Sequence, residues 1–467
     1  MKKLLIICLI SALSSLSADA QKKVYIPEDL RGIDLKADTS KWSFKRSIET
    51  DDLIFMWERG FDAEPQDGIV SGPDLDGKPM RFNLTKLRDR VQEFYRFFRD
   101  TLAFVQNTPY PSYSGGEKGG SSSYSGGEEG GNPSRSSSAR LLPKGRKNSG
   151  GEKVSSKADE YKMMVMVMYS NEGTAYGGTY DDFIGALWVA PNRIQDEKMN
   201  CMAHELGHSF QLQIPADKAG DAWGGSGFFE MTSQWMLWQV NPDWLTDENY
   251  HFEAFKKLTH KAYLHLENIY HSPYVIQWWS DLHGRKSIAE LYRQGKIGED
   301  PVMTYKRMYR LNQQQFCDEM FRGYQHLVNF DFKHARKETR KYACTFDTEV
   351  TTQKDGLLRP KNYPEEYGFN AILLDDKVDL NARSFNLQIN GKELRYGFVG
   401  ITAEDEEIYG DINATGFTVP DGKTLKHLYL IVMGAPALHD QIPMPSEENP
   451  EPKTDMKDFP YSFMVSF

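Results

Sequence analysis

Apolar residues recur at helical spacing between Leu84 and Val105. Leu87, Val91, Phe94, Tyr95, Phe97, Phe98, Leu102 and Phe104 predict an amphipathic helix there. Ahead of it, Asp52 to Trp57 is a run of β-formers and predicts a strand. Tyr161 to Tyr169 is apolar at almost every position, the pattern of a strand buried on both faces in the middle of a sheet. Phe183 to Val189 predicts a second strand, closed by Pro191. Helical spacing returns from about Ile194 or Met199 to Leu212, stopping before Pro215. It resumes from Phe228 to about Val240, after a glycine-rich loop at 220–227. More helix is expected from Tyr250 to about Lys341, with breaks near Pro273, Gly284 and Pro301.

After Cys344 the period changes from helical to alternating. Short strands are expected at 370–374, 384–389, 394–401, 416–419, 428–433 and 462–467, separated by turn residues. The fold class that follows is α+β. A mixed sheet with helices over residues 21–345 precedes an all-β sandwich over 346–467. One stretch fits neither part. From Ser112 to about Lys157, Ser, Gly, Glu and Lys dominate, and Tyr-Ser-Gly-Gly-Glu occurs at 113–117 and again at 124–128. Such a composition buries too little apolar surface to offset its ordering entropy. It reads as a surface insertion at 112–157 between a helix and the next strand of one domain, since closing a longer loop adds little cost.

Composition adjusts this picture in three ways. Lys2 and Lys3, the apolar run Leu4 to Leu13 and Ala18-Asp19-Ala20 form an export signal over residues 1–20, whose apolar run is too short to span a bilayer. Cys8 lies within the apolar run rather than after it, so a lipid anchor is not expected. Secretion, or release to the periplasm of a bacterium, is the expectation. The net charge of −10, with no dense basic cluster outside the insertion, argues against nucleic acid as a partner. No further segment resembles a membrane span. The remaining cysteines, Cys201, Cys317 and Cys344, are odd in number and allow one bridge (Cys317 to Cys344) or three buried thiols.

The chemistry sits in Ala203-His204-Glu205-Leu206-Gly207-His208. Histidines at i and i+4 project from one helix face, so His204 and His208 can bind a single Zn²⁺ while Glu205 stays beside it. Glu230, in the first turn of the next helix, supplies a third ligand and leaves the fourth position open for water. Glu205 is then the general base, taking the water proton and passing it to the leaving amine. Cys201 projects near the same face, but the ligand set is complete without it. The oxyanion donor is open among Tyr250, His251, His260, Tyr263, His265, Tyr270, His271 and Tyr274. Packing is the ordinary role for most of these residues, as it is for Trp235, Trp238, Trp278 and Trp279. The charge run 404–407 is most simply a solvated face.

The order helix, central strand, strand, His-Glu-x-x-His helix and Glu-bearing helix resembles the gluzincins, the thermolysin-like zinc peptidases. A metzincin would need Gly at position 211 and His at 214, where Gln211 and Ile214 stand. The chain is also similar to secreted bacterial proteins known only as a domain of unknown function. They share an H-E-x-x-H-x-x-Gln helix ending here at Gln211 and a Trp-rich Glu helix with Trp235 and Trp238. In their β-domain, Tyr367 to Asn370 and Met433 to Pro436 with His439 complete the likeness. In one respect the chain departs from the gluzincin pattern. The Asp that commonly supports a zinc histidine, four residues after the ligand Glu, is here Gln234, an amide without the charge that raises ligand basicity. The resemblance implies a zinc metallopeptidase acting on protein, peptide or glycoprotein substrates. The alternative is a zinc-stabilised scaffold whose β-domain binds carbohydrate.

Overall fold

The computed structural model describes residues 21–105, 155–224, 228–441 and 456–467. The expected export signal and both Tyr-Ser-Gly-Gly-Glu repeats lie outside these residues. Near the start of the chain, β1 (Ser47–Glu49) turns back into β2 (Leu53–Trp57), whose five residues are all buried. A hairpin follows, β3 (Ile69–Leu75) and β4 (Lys78–Asn83). Its turn holds Asp76 and Gly77 at φ 50 and 73, the left-handed pair that matches strand twist.

Asn83 caps α1 (Leu84–Arg96) through its side chain. The helix expected to reach Val105 ends earlier. Residues 97–101 widen into a π-helical turn, and Ala103 takes a left-handed φ of 64 that no helix continues through. The far boundary of the insertion also shifts. Ser156 caps the short α2 (Lys157–Glu160), and its hydroxyl donates to the Asp217 carboxylate, so Ser156 and Lys157 belong to the folded body.

Strands β5 (Met163–Val167), β6 (Ala175–Tyr180) and β7 (Ile184–Val189) complete a mixed sheet of order β1-β2-β5-β7-β6. β2, β5 and β7 run parallel, and β6 pairs antiparallel with β7 at the outside. Helix α3 (Asn200–Ala216) lies across β6 and β7. Its buried polar side chains fasten it to the sheet. Ser209 donates to the Ala186 carbonyl at 2.8 Å, and the Gln213 carbonyl accepts from the Gly185 N–H at 2.8 Å. The expected stop before Pro215 is not observed. Proline removes only its own N–H, and the last turn is held by Asp217 N–H to Gln213 O at 2.8 Å and Ala219 N–H to Ile214 O at 2.9 Å.

Helices α4 (Phe228–Val240), α5 (Trp244–Asp247), α6 (Asn249–Leu258), α7 (Tyr274–His283), α8 (Lys286–Gln294), α9 (Pro301–Tyr309) and α10 (Gln313–Leu327) form the helical layer. Trp235, Trp238 and Trp279 are fully buried in its core. Among the described residues no helix is long and apolar enough to cross a membrane. Cys201, Cys317 and Cys344 are free thiols, so the Cys317–Cys344 bridge is not formed.

The C-terminal part is a sandwich. The short β8 (Val350–Thr352) and β9 (Leu358–Pro360) precede β10 (Phe369–Leu373), β11 (Ser384–Gly391) and β12 (Leu394–Thr402). β13 (Glu407–Tyr409), β14 (Gly416–Thr418), β15 (Leu425–Gly434) and β16 (Tyr461–Ser466) follow. One sheet has the order β10-β15-β12-β13 and the other β14-β11-β16-β9-β8. Along β15 the alternation is complete. Leu428, Leu430 and Val432 face the sandwich core with Phe385, Phe417 and Phe463, while Tyr429, Ile431 and Met433 face the helices. The first sheet is therefore a wall shared by two cores. Tyr324 of α10 stacks on Phe369 with ring centroids 4.1 Å apart, and the Phe369 N–H donates to the Thr259 carbonyl at 2.7 Å.

Polar contacts cross the same boundary. Glu407, expected to be solvated, accepts from Asn329, Arg336 and Arg340. His439 sits buried between two carboxylates, Asp300 at the start of α9 (Nε2 to Oδ2 2.6 Å) and Glu366 (Nδ1 to Oε1 2.8 Å). That contact locks the β-part to the helical layer.

Candidate metal centre

Two close approaches assemble the site. At Gly207 a Cβ would stand 2.6 Å from the Ser233 hydroxyl, so only glycine lets α4 come this near α3. Ser233 uses the proximity to donate to the His204 carbonyl at 2.9 Å. At Gly177 a Cβ would stand 1.8 Å from the Glu205 carbonyl oxygen and 3.0 Å from the His208 Cβ, so β6 lies directly on the motif turn of α3. Helix α4 thereby presents Glu230, and α3 presents His204 and His208, to one point.

The expected ligands do converge. His204 Nε2 and His208 Nε2 are 3.0 Å apart, and Glu230 Oε2 is 3.0 Å from the first and 3.2 Å from the second. Among the described residues this is the one group of three or more His, Cys, Asp or Glu side chains close enough to share an ion. Burial alone would lower the His208 pKa, but the charge of Glu230 outweighs it and lifts the imidazole to about 9. Burial would likewise raise Glu230, yet the His208 charge and hydrogen bonds from both imidazoles hold the carboxylate well below the usual range. Glu205, the residue after His204 in the same turn of α3, is buried.

The eight donor candidates separate clearly. The Tyr270 ring lies along His204 with centroids 6.1 Å apart and planes 27° from parallel. His251 and His271 share a hydrogen bond between their Nδ1 atoms at 2.7 Å. Burial first, then the neighbouring His271 and His204, push His251 down to about 3, so it is a neutral ring. The Tyr250 ring lies tilted against that of His251, with centroids 4.2 Å apart, and the residue is 59% exposed. The other four belong to packing. Tyr263 and Tyr274 are buried core rings, against Trp279 and Phe255 respectively, and His265 accepts from the Glu267 N–H. The carbonyl of His260 accepts from the Glu365 N–H of the β-part.

Gln234 does not support a site histidine. Its amide nitrogen donates to the Tyr270 carbonyl at 3.2 Å and lies 3.3 Å from His251 Nε2. The residue that reaches His208 is Gln211, whose Oε1 is 3.1 Å from Nδ1. The i, i+3 spacing of His208 and Gln211 on one helix face was the available signal for that pair. The place of β6 had a weaker signal, two adjacent glycines in Ala175 to Tyr180.

The chain matches the family of unknown function designated DUF6055 over residues 16–114 and 151–466, and it belongs to that family. Searches of curated proteins and of solved structures found no match.

Proposed function

We propose that this family member is a zinc metallopeptidase with a gluzincin-type site, exported from the cell that makes it. The observation that carries the reading is the convergence of His204, His208 and Glu230 beside Glu205. Two imidazoles and one carboxylate are the donor set of a catalytic zinc site with an open position. The spacing supports it as well. Donors at 2.0–2.1 Å from a tetrahedral ion lie about 3.3 Å apart, and the three atoms here are 3.0 to 3.2 Å apart. When bound, Zn²⁺ supplies Lewis acidity, polarising a carbonyl and acidifying water toward neutrality.

The chain's own residues do the rest. The Glu205 carboxylate takes a proton from the attacking water and returns it to the leaving amine nitrogen. Of the donor candidates, Tyr270 is assigned the charge developing on the scissile carbonyl oxygen, because its ring lies along that of His204. Among the described residues β6 pairs only with β7, so its outer edge offers backbone groups for an extended peptide. Gly177 places that edge over Glu205 and His208. Phe385, Phe398, Phe417, Tyr461 and Phe463 of the β-part fill its interior.

Metal analysis by mass spectrometry of the purified protein tests the ligand set. One zinc per chain is expected, with loss in His204→Ala, His208→Ala and Glu230→Ala variants. Zinc-free wild-type protein after incubation with zinc would rule the reading out.

A further inference from the structure

A histidine that coordinates through Nε2 must carry its proton on Nδ1, and something must hold that proton and the ring. At His208 the structure gives a complete account of what does so. Gln211 is fully buried, and its amide nitrogen lies 3.0 Å from the Phe229 carbonyl oxygen and 3.3 Å from Ser233 Oγ. A carbonyl only accepts, so the nitrogen end of the amide must face Phe229. Ser233 spends its own proton on the His204 carbonyl, so its oxygen accepts from Gln211 as well. The amide cannot be turned over. Its Oε1 therefore faces His208, and Nδ1 must be the donor across the 3.1 Å contact.

We infer that Gln211 is the positioning residue of this metal centre. It fixes the His208 ring and directs the Nε2 lone pair at the ion. The inference rests on the zinc reading above and adds to it a cause for the residue type. A carboxylate at 211 could accept from Nδ1, but it would face the Phe229 carbonyl with a second acceptor. An amide alone donates to α4 on one side and accepts from α3 on the other. The same interaction ties the His208 ring to Phe229, the neighbour of the ligand Glu230. Orientation of one ligand and placement of another are thus a single network. Gln234, at the position where gluzincins commonly carry the supporting Asp, is turned to Tyr270 and His251 and does not substitute for it.

The test compares wild type with Gln211→Leu and Gln211→Glu by competition for zinc against a chromophoric chelator, alongside urea unfolding of each metal-free protein. Gln211→Leu removes the acceptor and is expected to weaken zinc binding about 10- to 100-fold. Gln211→Glu keeps an acceptor for Nδ1 and is expected to bind zinc more tightly than Gln211→Leu, although it is the less stable variant because it faces Phe229. A merely structural Gln211 would make affinity follow stability, with Gln211→Glu weakest. That order, or wild-type affinity in Gln211→Leu, overturns the inference.

Histidine ring spectra separate failure here from failure of the zinc reading. A slowly exchanging His208 Nδ1–H signal is expected in metal-free wild type and should be lost in Gln211→Leu. If wild type binds no zinc yet this signal behaves so, the zinc reading fails and the assignment of Gln211 to His208 stands. If the signal is absent from wild type, the inference falls whatever the metal does.

Discussion

Replacing His439 by Gln tests how the β-part is held against the helical layer. The imidazole is 6% exposed and lies between carboxylates that are 3% and 4% exposed. Burial pulls its pKa down, but hydrogen bonds and charge from Asp300 and Glu366 outweigh this and lift it from 6.5 to about 9. The folded-state value is thus above the unfolded one. The stabilisation is fully present below about pH 6.5 and is lost as pH rises through about 9. At about 1.4 kcal/mol per tenfold change in proton affinity, that displacement corresponds to about 3 kcal/mol. The figure is close to the ~3–5 kcal/mol expected when one partner of a buried ion pair is removed.

Urea unfolding of the metal-free protein across pH 6 to 10 reads this out. Wild type should lose about 3 kcal/mol more than His439→Gln between pH 6 and 10, and the variant should be the weaker by about that amount at pH 6.5. His208, also raised to about 9, titrates in the same window but is common to both proteins and cancels in the difference. Parallel pH profiles, or equal stability at pH 6.5, would refute the reasoning.

Gly177→Ala places a methyl 1.8 Å from a backbone oxygen that cannot rotate away. Overpacking of about 1–3 kcal/mol is expected in urea unfolding, with weaker zinc binding in chelator competition because His208 is pushed with its helix. Residues 346–467 produced alone should not unfold cooperatively by calorimetry. In isolation Phe369, Tyr429, Ile431 and Met433 would lose the helical layer that covers them, and a sharp transition with native-like dispersion in NMR spectra would contradict the shared core.

Much of the fold was legible because burial on both faces leaves a plain mark. Tyr161 to Tyr169 reads as a central strand, and β5 lies in the middle of its sheet, while the apolar run 428–433 reads as a strand and lies within β15. The cluster of His204, His208 and Glu230 was legible because two of its members share one helix face and the third opens the next helix. Other features depend on tertiary partners that spacing does not report. Strand β6 mixes glycine, threonine and tyrosine without alternation, and its place follows from how closely α3 can approach Gly177. The β3–β4 hairpin did carry an Asp-Gly turn signal, but its flanking strands are mostly polar and partly exposed. Helix α3 runs past Pro215 because Gln213 and Asp217 secure its last turn. Gln211 matters through Phe229 and Ser233, residues of a different helix.

The central claim is that Glu205 moves the proton in a zinc-dependent cleavage of peptide bonds. A proteome-derived peptide library incubated with wild type and with Glu205→Gln, each loaded to one zinc per chain, tests it most directly. Cleavage by wild type alone, abolished by chelation, is the predicted result. Equal cleavage by the variant, or none by fully loaded wild type, would contradict the account.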